Sequence, residues 1–166
     1  MDVRLEKLKA NLESVVAGVP TEQLQRHAPG KWSAAEVLEH LFLTYTATVK
    51  GLEHAIAEGR PLATRASLKH RVATFVVVGL GHMPTGRKTP AVATPRGLSE
   101  DQVRNDIGAK LVEMDALLAA SETRFGRRVK VLDHPILGPL TAPQWRTLHA
   151  VHGQHHYKQL LALLGS

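Results

Sequence analysis

The sequence predicts an all-α fold, a four-helix bundle with one long connection between helices two and three. Three observations predict it: apolar residues recur at helical spacing in four segments, three of these segments begin with a capping pattern, and aromatic residues are only 4% of the chain. A core built from Leu, Val and Ala favours helices over a β-sandwich. The length of 166 residues fits a single domain that spans residues 1–166.

Start and stop signals bound the four predicted helices. The first runs from about Val3 to Val16, the second from Ser33 to about Glu58, the third from about Glu100 to Ser121, and the fourth from about Ala142 to Leu164. The three later helices are each preceded by a hydroxyl residue with Glu or Gln three positions on, which is the capping-box pattern: Ser33 with Glu36, Ser99 with Gln102, and Thr141 with Gln144.

The connection between the second and third predicted helices covers residues 62–97. Its first half, through about Val78, could be an additional helix, or the β-branched run VATFVVV could be a buried strand. Its second half is rich in Gly and Pro and is predicted to be a long loop, where we expect substrate specificity to reside. A short apolar stretch, Val129–Leu132, and the turn-prone segment DHPILGPL precede the fourth helix.

Composition excludes several classes of protein. Without cysteine, the chain can form no disulfide framework, thiolate metal site or cysteine nucleophile. The start carries no signal sequence and no apolar run is long enough to cross a bilayer, so we expect a soluble, cytoplasmic protein with no membrane partner. The net charge is +6, but the cations are dispersed without interleaved aromatics. We therefore expect no nucleic-acid partner, and a solvated basic surface or acidic small molecules instead.

The fourth predicted helix carries the sharpest functional signal among the ten histidines. At about 100° per residue, His149, His152, His156 and Gln159 share the centre of its apolar face. The i, i+4 spacing of His152 and His156 points both imidazoles at one spot, as on metal-binding helices. His40, on the second predicted helix, is the candidate third ligand. Three neutral imidazoles would leave positions on a divalent cation open to water or substrate.

Five further residues are candidates for lining the pocket or orienting a ligand: His149, Gln159, His155, His134 and Glu36. His149 could donate a hydrogen bond to a ligand, and Gln159 could orient a ligand or a bound water. Glu36 is better explained as the capping partner of Ser33. Gly153, inside the fourth helix, either lets a neighbouring helix approach or opens room beside the metal. No residue is singled out as catalytic.

Two segments resemble the DinB-like superfamily of metal-binding four-helix bundles: KWSAAEVLEHL at residues 31–41 and HPILGPLTAPQWRTLHAVHGQHHYKQL at residues 134–160. In that superfamily a W-S-x-x-E-x-L-x-H-L segment opens the second helix, and H-x-x-x-H followed by Q-L or Q-I lies on the fourth. The HPxxG-L-T stretch resembles a subgroup of largely unassigned function. The resemblance implies that His40, His152 and His156 bind a divalent transition metal: zinc, nickel or iron.

Characterised members of the superfamily include thiol-dependent transferases and a maleylpyruvate isomerase, which use a low-molecular-weight thiol such as bacillithiol or mycothiol. The resemblance therefore implies that the metal deprotonates such a thiol, which attacks an electrophilic small-molecule substrate. Arg87 or Arg146 could hold carboxylates of the thiol cofactor.

Two alternatives stay open. One is a hydrolase that uses metal-bound hydroxide, although no carboxylate base lies on the ligand face of the fourth helix. The other is a non-catalytic metal- or ligand-binding bundle, which could be a homodimer.

Overall fold

The computed structural model describes residues 1–84 and 89–165, and this part of the chain is mostly helical. Its α-helices are α1 (Val3–Val16), α2 (Thr21–Leu24), α3 (Ala34–Ala57), α4 (Leu68–Thr74), α5 (Glu100–Phe125) and α6 (Ala142–Leu164), and its strands are β1 (Lys130–His134) and β2 (Gly138–Thr141). A π-helical turn, Phe75–Gly79, continues α4, and a 3-10 turn, Ala91–Ala93, lies between α4 and α5. Within the described ranges, no helix combines the length and apolar character needed to span a bilayer.

The four long helices α1, α3, α5 and α6 pack around one apolar core. α3 lies against both α5 and α6, and α1 lies against the same two helices. The apolar stripes of the sequence are the buried faces, and the largest fully buried side chains are Tyr45, Leu5, Leu12, Leu24, Leu38, Leu41, Leu52, Ile107, Leu111, Met114, Leu118 and Leu140. Only one of these twelve is aromatic, as expected for a core built from aliphatic side chains.

The predicted caps define where the long helices begin. Ser33 and Thr141 each form a reciprocal capping box, with Glu36 and Gln144, and Ser99 accepts a hydrogen bond from the amide of Gln102. α5 continues one turn beyond the predicted end because Gly126, with φ at +99°, is the first residue that takes a left-handed conformation.

The prediction of an all-α chain is confirmed only in part, because residues 130–141 form an antiparallel hairpin. Leu132 pairs with Leu140, and His134 pairs with Gly138 across the turn. Val131 and Leu140 are fully buried, so one face of the hairpin closes the core beside the long helices. These strands contain only five and four residues, and alternation over so few positions predicts a strand weakly.

Residues 68–79 of the 62–97 connection are helical, so the run VATFVVV is not a buried strand. α4 and its π-helical turn lie on the surface, where Leu68, Val72 and Phe75 are exposed and only Val77 is buried. The predicted loop that follows forms only the 3-10 turn in its described part; residues 85–88 lie outside the described residues.

Glu39 of α3 fixes the end of this loop against the bundle. Its Oε1 and Oε2 accept hydrogen bonds from the backbone amides of Arg96 and Gly97, at 2.8 and 3.1 Å. The side chain is buried, and both carboxylate oxygens are used in these bonds. As a result the 3-10 turn packs on α3, and its last residue, Ala93, faces the site described below.

Gly153 of α6 lets α1 approach closely. A Cβ atom at this position would collide with the side chain of Leu8 on α1. The close approach of a neighbouring helix therefore explains the glycine, which costs α6 about 1 kcal/mol relative to alanine.

Candidate metal centre

α3 and α6 bring together the three histidines that the sequence predicts as metal ligands. The Nε2 atom of His152 lies 3.1 Å from Nε2 of His40 and 3.0 Å from Nε2 of His156. The ligand atoms of all three lie within 4.8 Å of one another, and this group could hold a metal ion. We call His40, His152 and His156 the histidine triad.

Hydrogen bonds on the far side of two rings fix their tautomers. Nδ1 of His40 lies 2.7 Å from the carbonyl oxygen of Ala93, which can only accept, so this Nδ1 carries the hydrogen. Nδ1 of His156 likewise donates to Oε1 of Gln159 at 2.7 Å. Both Nε2 atoms are therefore unprotonated and turn their lone pairs toward Nε2 of His152. Nε2 of His152 can carry one hydrogen, so it can donate to only one of these two lone pairs.

These spacings fit a divalent metal. Metal–imidazole bonds are about 2.1 Å long, so two nitrogens on one metal at angles between 90° and the tetrahedral value lie about 3.0–3.4 Å apart. The two Nε2–Nε2 distances of 3.0 and 3.1 Å match this geometry. Nδ1 bonds to a carbonyl and an amide oxygen are also the usual way in which proteins orient ligating imidazoles.

Burial keeps the triad in the neutral form that binds metal. Desolvation lowers the pKa of His40, and it lowers the pKa of His156 to about 3 with a further contribution from His40. The pKa of His152 falls well below its ordinary value because of desolvation first and of His156 and His40 next. At neutral pH the imidazoles therefore do not have to lose protons before they coordinate a cation.

The triad is accessible from the side of α6 that carries Gln159. His40 and His156 are buried, whereas His152 and His155 are partly exposed and Gln159 is exposed. Nε2 of Gln159 lies 3.3 Å from Nε2 of His155, so its amide contacts both His155 and His156. Gln159 is thus placed to orient the ring of His156, and His155 lies beside that ring without joining the triad.

Trp32 packs beside the triad. Its ring centroid is 5.2 Å from that of His40, and its side chain is half-buried at the start of α3. Its contact with His40 restricts the movement of that ring.

His149 lies one turn before His152 but belongs to a different group. It is fully buried, with Nε2 3.1 Å from Oγ1 of Thr48 and its ring stacked on Trp145 at 5.5 Å between centroids. Tyr45 packs against its edge at 5.5 Å. We call His149, Thr48, Tyr45 and Trp145 the His149 layer. Burial lowers the pKa of His149 to about 3, so this ring is neutral as well.

The structure places His134 and Glu36 in local structural roles. Nδ1 of His134 accepts hydrogen bonds from the amides of Ile136 and Leu137, both at 3.1 Å, in the hairpin turn. Burial lowers the pKa of His134 to about 4. Oε2 of Glu36 accepts from the amide of Ser33 at 2.8 Å, which is the capping role that the sequence favours. Neither residue joins the triad.

The sequence suggests Arg87 or Arg146 as the residue that holds carboxylates of the thiol cofactor. Arg146 is mostly buried and its guanidinium pairs with Asp115 and Glu122 of α5, at 2.5 Å in each case. Because these two carboxylates already occupy it, the suggestion that Arg146 holds a cofactor is wrong. Arg87 lies outside the described residues.

Sequence reasoning missed the two groups that hold His40 in place. The carbonyl of Ala93 orients the ring, and a backbone carbonyl has no signature in residue type. Glu39 anchors the loop that carries Ala93. The sequence offers one indication of the role of Glu39, which is its position next to the apolar stripe of a helix. A carboxylate that is buried there needs hydrogen-bond donors from elsewhere in the chain.

The chain belongs to the family described as "Protein of unknown function (DUF1569)", which matches residues 1–162. Comparison with curated proteins and with solved structures found no match. The family description names no activity.

Proposed function

We propose that this member of the DUF1569 family is a metal-dependent enzyme with the four-helix bundle of the DinB-like superfamily. It transfers a low-molecular-weight thiol to an electrophilic small molecule at a divalent metal, either zinc, nickel or iron, held by His40, His152 and His156. The observation that carries the proposal is the convergence of the triad's Nε2 atoms at 3.0 and 3.1 Å, with two of the rings oriented by oxygen acceptors.

Each group of the site has a defined task. The triad would hold the metal, and Ala93 and Gln159 orient two of its rings through Nδ1. A divalent metal bound in this way lowers the pKa of a thiol, so that the thiolate is available at neutral pH. With only three protein ligands, the site leaves coordination positions for a small molecule.

The chemistry of the surrounding residues favours thiol transfer over hydrolysis. A carboxylate that accepts a proton from the attacking water assists many metal-dependent hydrolases, and no Asp or Glu of the described residues joins the triad. The two nearest candidates on α3 are engaged elsewhere, Glu36 with Ser33 and Glu39 with two backbone amides. The chain has no cysteine, so the sulfur nucleophile would come from a cosubstrate.

The proposed reaction balances without an oxidant or reductant. A carbon–sulfur bond forms between the thiol and the electrophile, and the leaving group departs with its bonding electron pair. The thiol proton would be released to solvent, and a metal held by the triad would favour this loss near neutral pH by lowering the pKa of the thiol.

The test is thiol consumption with monochlorobimane, in which chloride is the leaving group. The protein is assayed with zinc, nickel or iron and after metal removal, with cysteine, bacillithiol and mycothiol as separate thiols. We expect turnover that requires metal and is lost in His152→Ala. The matched control is His54→Ala, which removes an exposed histidine of α3 and should leave the rate unchanged.

Other outcomes would favour the remaining functions. Turnover of an ester without any thiol, again lost in His152→Ala, would indicate a hydrolase. If metal removal lowers the melting temperature while no substrate is consumed, the metal has a structural or binding role and the enzyme proposal is wrong.

A further inference from the structure

A groove between α1 and α6 has the size and charge of a binding site for a small anion. Its volume is about 500 Å³, and Arg4, Lys7, His82 and Lys158 contribute to its wall. No Asp or Glu is among the described residues that line it. We call this the α1–α6 groove.

Two lysines of the groove are available to a ligand. Arg4 already pairs with Asp2 at 3.0 Å, which reduces its net contribution. Lys7 and Lys158 are exposed and form no ion pair within the described part of the chain. They lie on opposite walls, one on α1 and one on α6, so an anion in the groove could contact both.

The segment next to the groove carries the whole positive excess of the chain. Residues 59–99 contain seven Lys or Arg and no Asp or Glu, which gives +7 against +6 for the entire sequence. Gly81–Met83 of this segment line the groove, and Ala93 of the same segment holds His40. No carboxylate of this segment therefore opposes an anion in the groove.

His155 connects the groove with the triad. It lines the groove, and its ring centroid is 5.1 Å from that of His156. Gln159 bridges the same two residues through its amide. A molecule that extends past His155 would thus have one part between the lysines and the other at the edge of the triad.

We propose that the α1–α6 groove binds the acidic part, a carboxylate or a phosphate, of the small molecule that reacts at the triad. This inference rests on the proposed function for the reacting end of the molecule. Recognition of the acidic end depends on Lys7 and Lys158 alone and does not require the metal.

The test is amide NMR of metal-free, isotope-labelled protein at low salt, titrated with succinate in one series and inorganic phosphate in another. We expect the largest shifts at Lys7, Val151, His155 and Lys158. Lys7→Gln and Lys158→Gln should each weaken binding about threefold to fivefold, as expected for one exposed charge contact. Lys50→Gln, which removes an exposed lysine of α3, is the matched control and should leave the affinity unchanged.

Comparison of the two affinities identifies the acidic group. Tighter binding of succinate would indicate a carboxylate ligand, and tighter binding of phosphate would indicate a phosphate ligand. Absence of shifts with both probes, shifts elsewhere on the surface, or equal weakening by Lys50→Gln would overturn the proposal. Failure of the proposed function would be seen separately, as absence of metal binding or turnover, since the amide titration contains neither metal nor thiol.

Discussion

The triad and the His149 layer place histidines one turn apart on the same face of α6, yet they have different chemistry. In the triad, Nε2 atoms from two helices meet at 3.0 and 3.1 Å. In the His149 layer, a single imidazole is enclosed by Trp145 and Tyr45 and meets one hydroxyl, that of Thr48. Burial makes both kinds of histidine neutral.

The comparison shows that burial and a neutral ring do not define a metal site. His40 and His156 direct their Nδ1 hydrogens to oxygen acceptors, which leaves two lone pairs facing a third imidazole. At His149 the hydroxyl of Thr48 donates to the carbonyl of Thr44, so Nε2 of His149 donates to Thr48. Among the described residues its Nδ1 has no hydrogen-bond partner, and His149 is not part of the group that could hold a cation.

The largest expected effect separates the two regions by metal affinity. His152→Ala removes the central nitrogen of the triad and should weaken zinc binding by more than about a hundredfold, beyond the usual effect of groups that only orient ligands. His149→Leu should change it by less than about threefold. Zinc titration against a competing chelator measures both. If His149→Leu weakens binding as strongly as His152→Ala, the division into two regions is wrong.

The second effect is a pH dependence of stability that comes from His149. Its folded pKa of about 3 lies below the unfolded value of about 6.5, so the unfolded chain binds the additional proton between these pH values. The contribution of His149 is therefore complete above pH 6.5 and is lost as the pH falls toward 3. In metal-free protein, His149→Leu should reduce the slope of the free energy of unfolding between pH 6 and 4 by up to about 1.4 kcal/mol per pH unit.

Urea unfolding at several pH values measures this slope. The matched control is His54→Ala, because an exposed histidine on α3 should leave the slope as it is. Equal slopes for the wild type and His149→Leu would contradict this prediction. They would mean that His149 takes up its proton over the same pH range in the folded and the unfolded state.

The sequence predicts more of the helices than of the site's surroundings. Heptad-like apolar spacing and capping residues such as Ser33 and Thr141 are local signals, and α1 and α6 have the predicted ends. The hairpin is missed because its short strands pair through backbone bonds that residue type barely encodes. At the site, the two triad positions of α6 follow from helical geometry, whereas the partner of His40 is a backbone carbonyl from a distant loop.

Substitution of Gln159 tests whether the oxygen acceptors bonded to Nδ1 affect the metal affinity of the triad. Gln159→Leu removes the acceptor for Nδ1 of His156 and frees that ring to take the other tautomer. We expect zinc affinity to fall about tenfold to a hundredfold with stability almost unchanged, because Gln159 is exposed. Gln154→Leu, an exposed glutamine on another face of α6, is the control for zinc affinity. An unchanged affinity in Gln159→Leu would mean that helix packing alone orients His156.

The last prediction concerns the hydrogen bond between the side chains of His149 and Thr48. Thr48→Val keeps the shape of the side chain but leaves the Nε2–H of His149 buried without an acceptor. We expect the free energy of unfolding to fall by about 1–3 kcal/mol, the usual cost of an unsatisfied buried donor, with zinc affinity unchanged. Thr46→Val, whose hydroxyl on the same helix donates only to the carbonyl of Phe42, is the control and should cost less. A loss of zinc affinity in Thr48→Val would instead mean that the layer and the triad form one coupled network, because the hydroxyl of Thr48 contacts no residue of the triad.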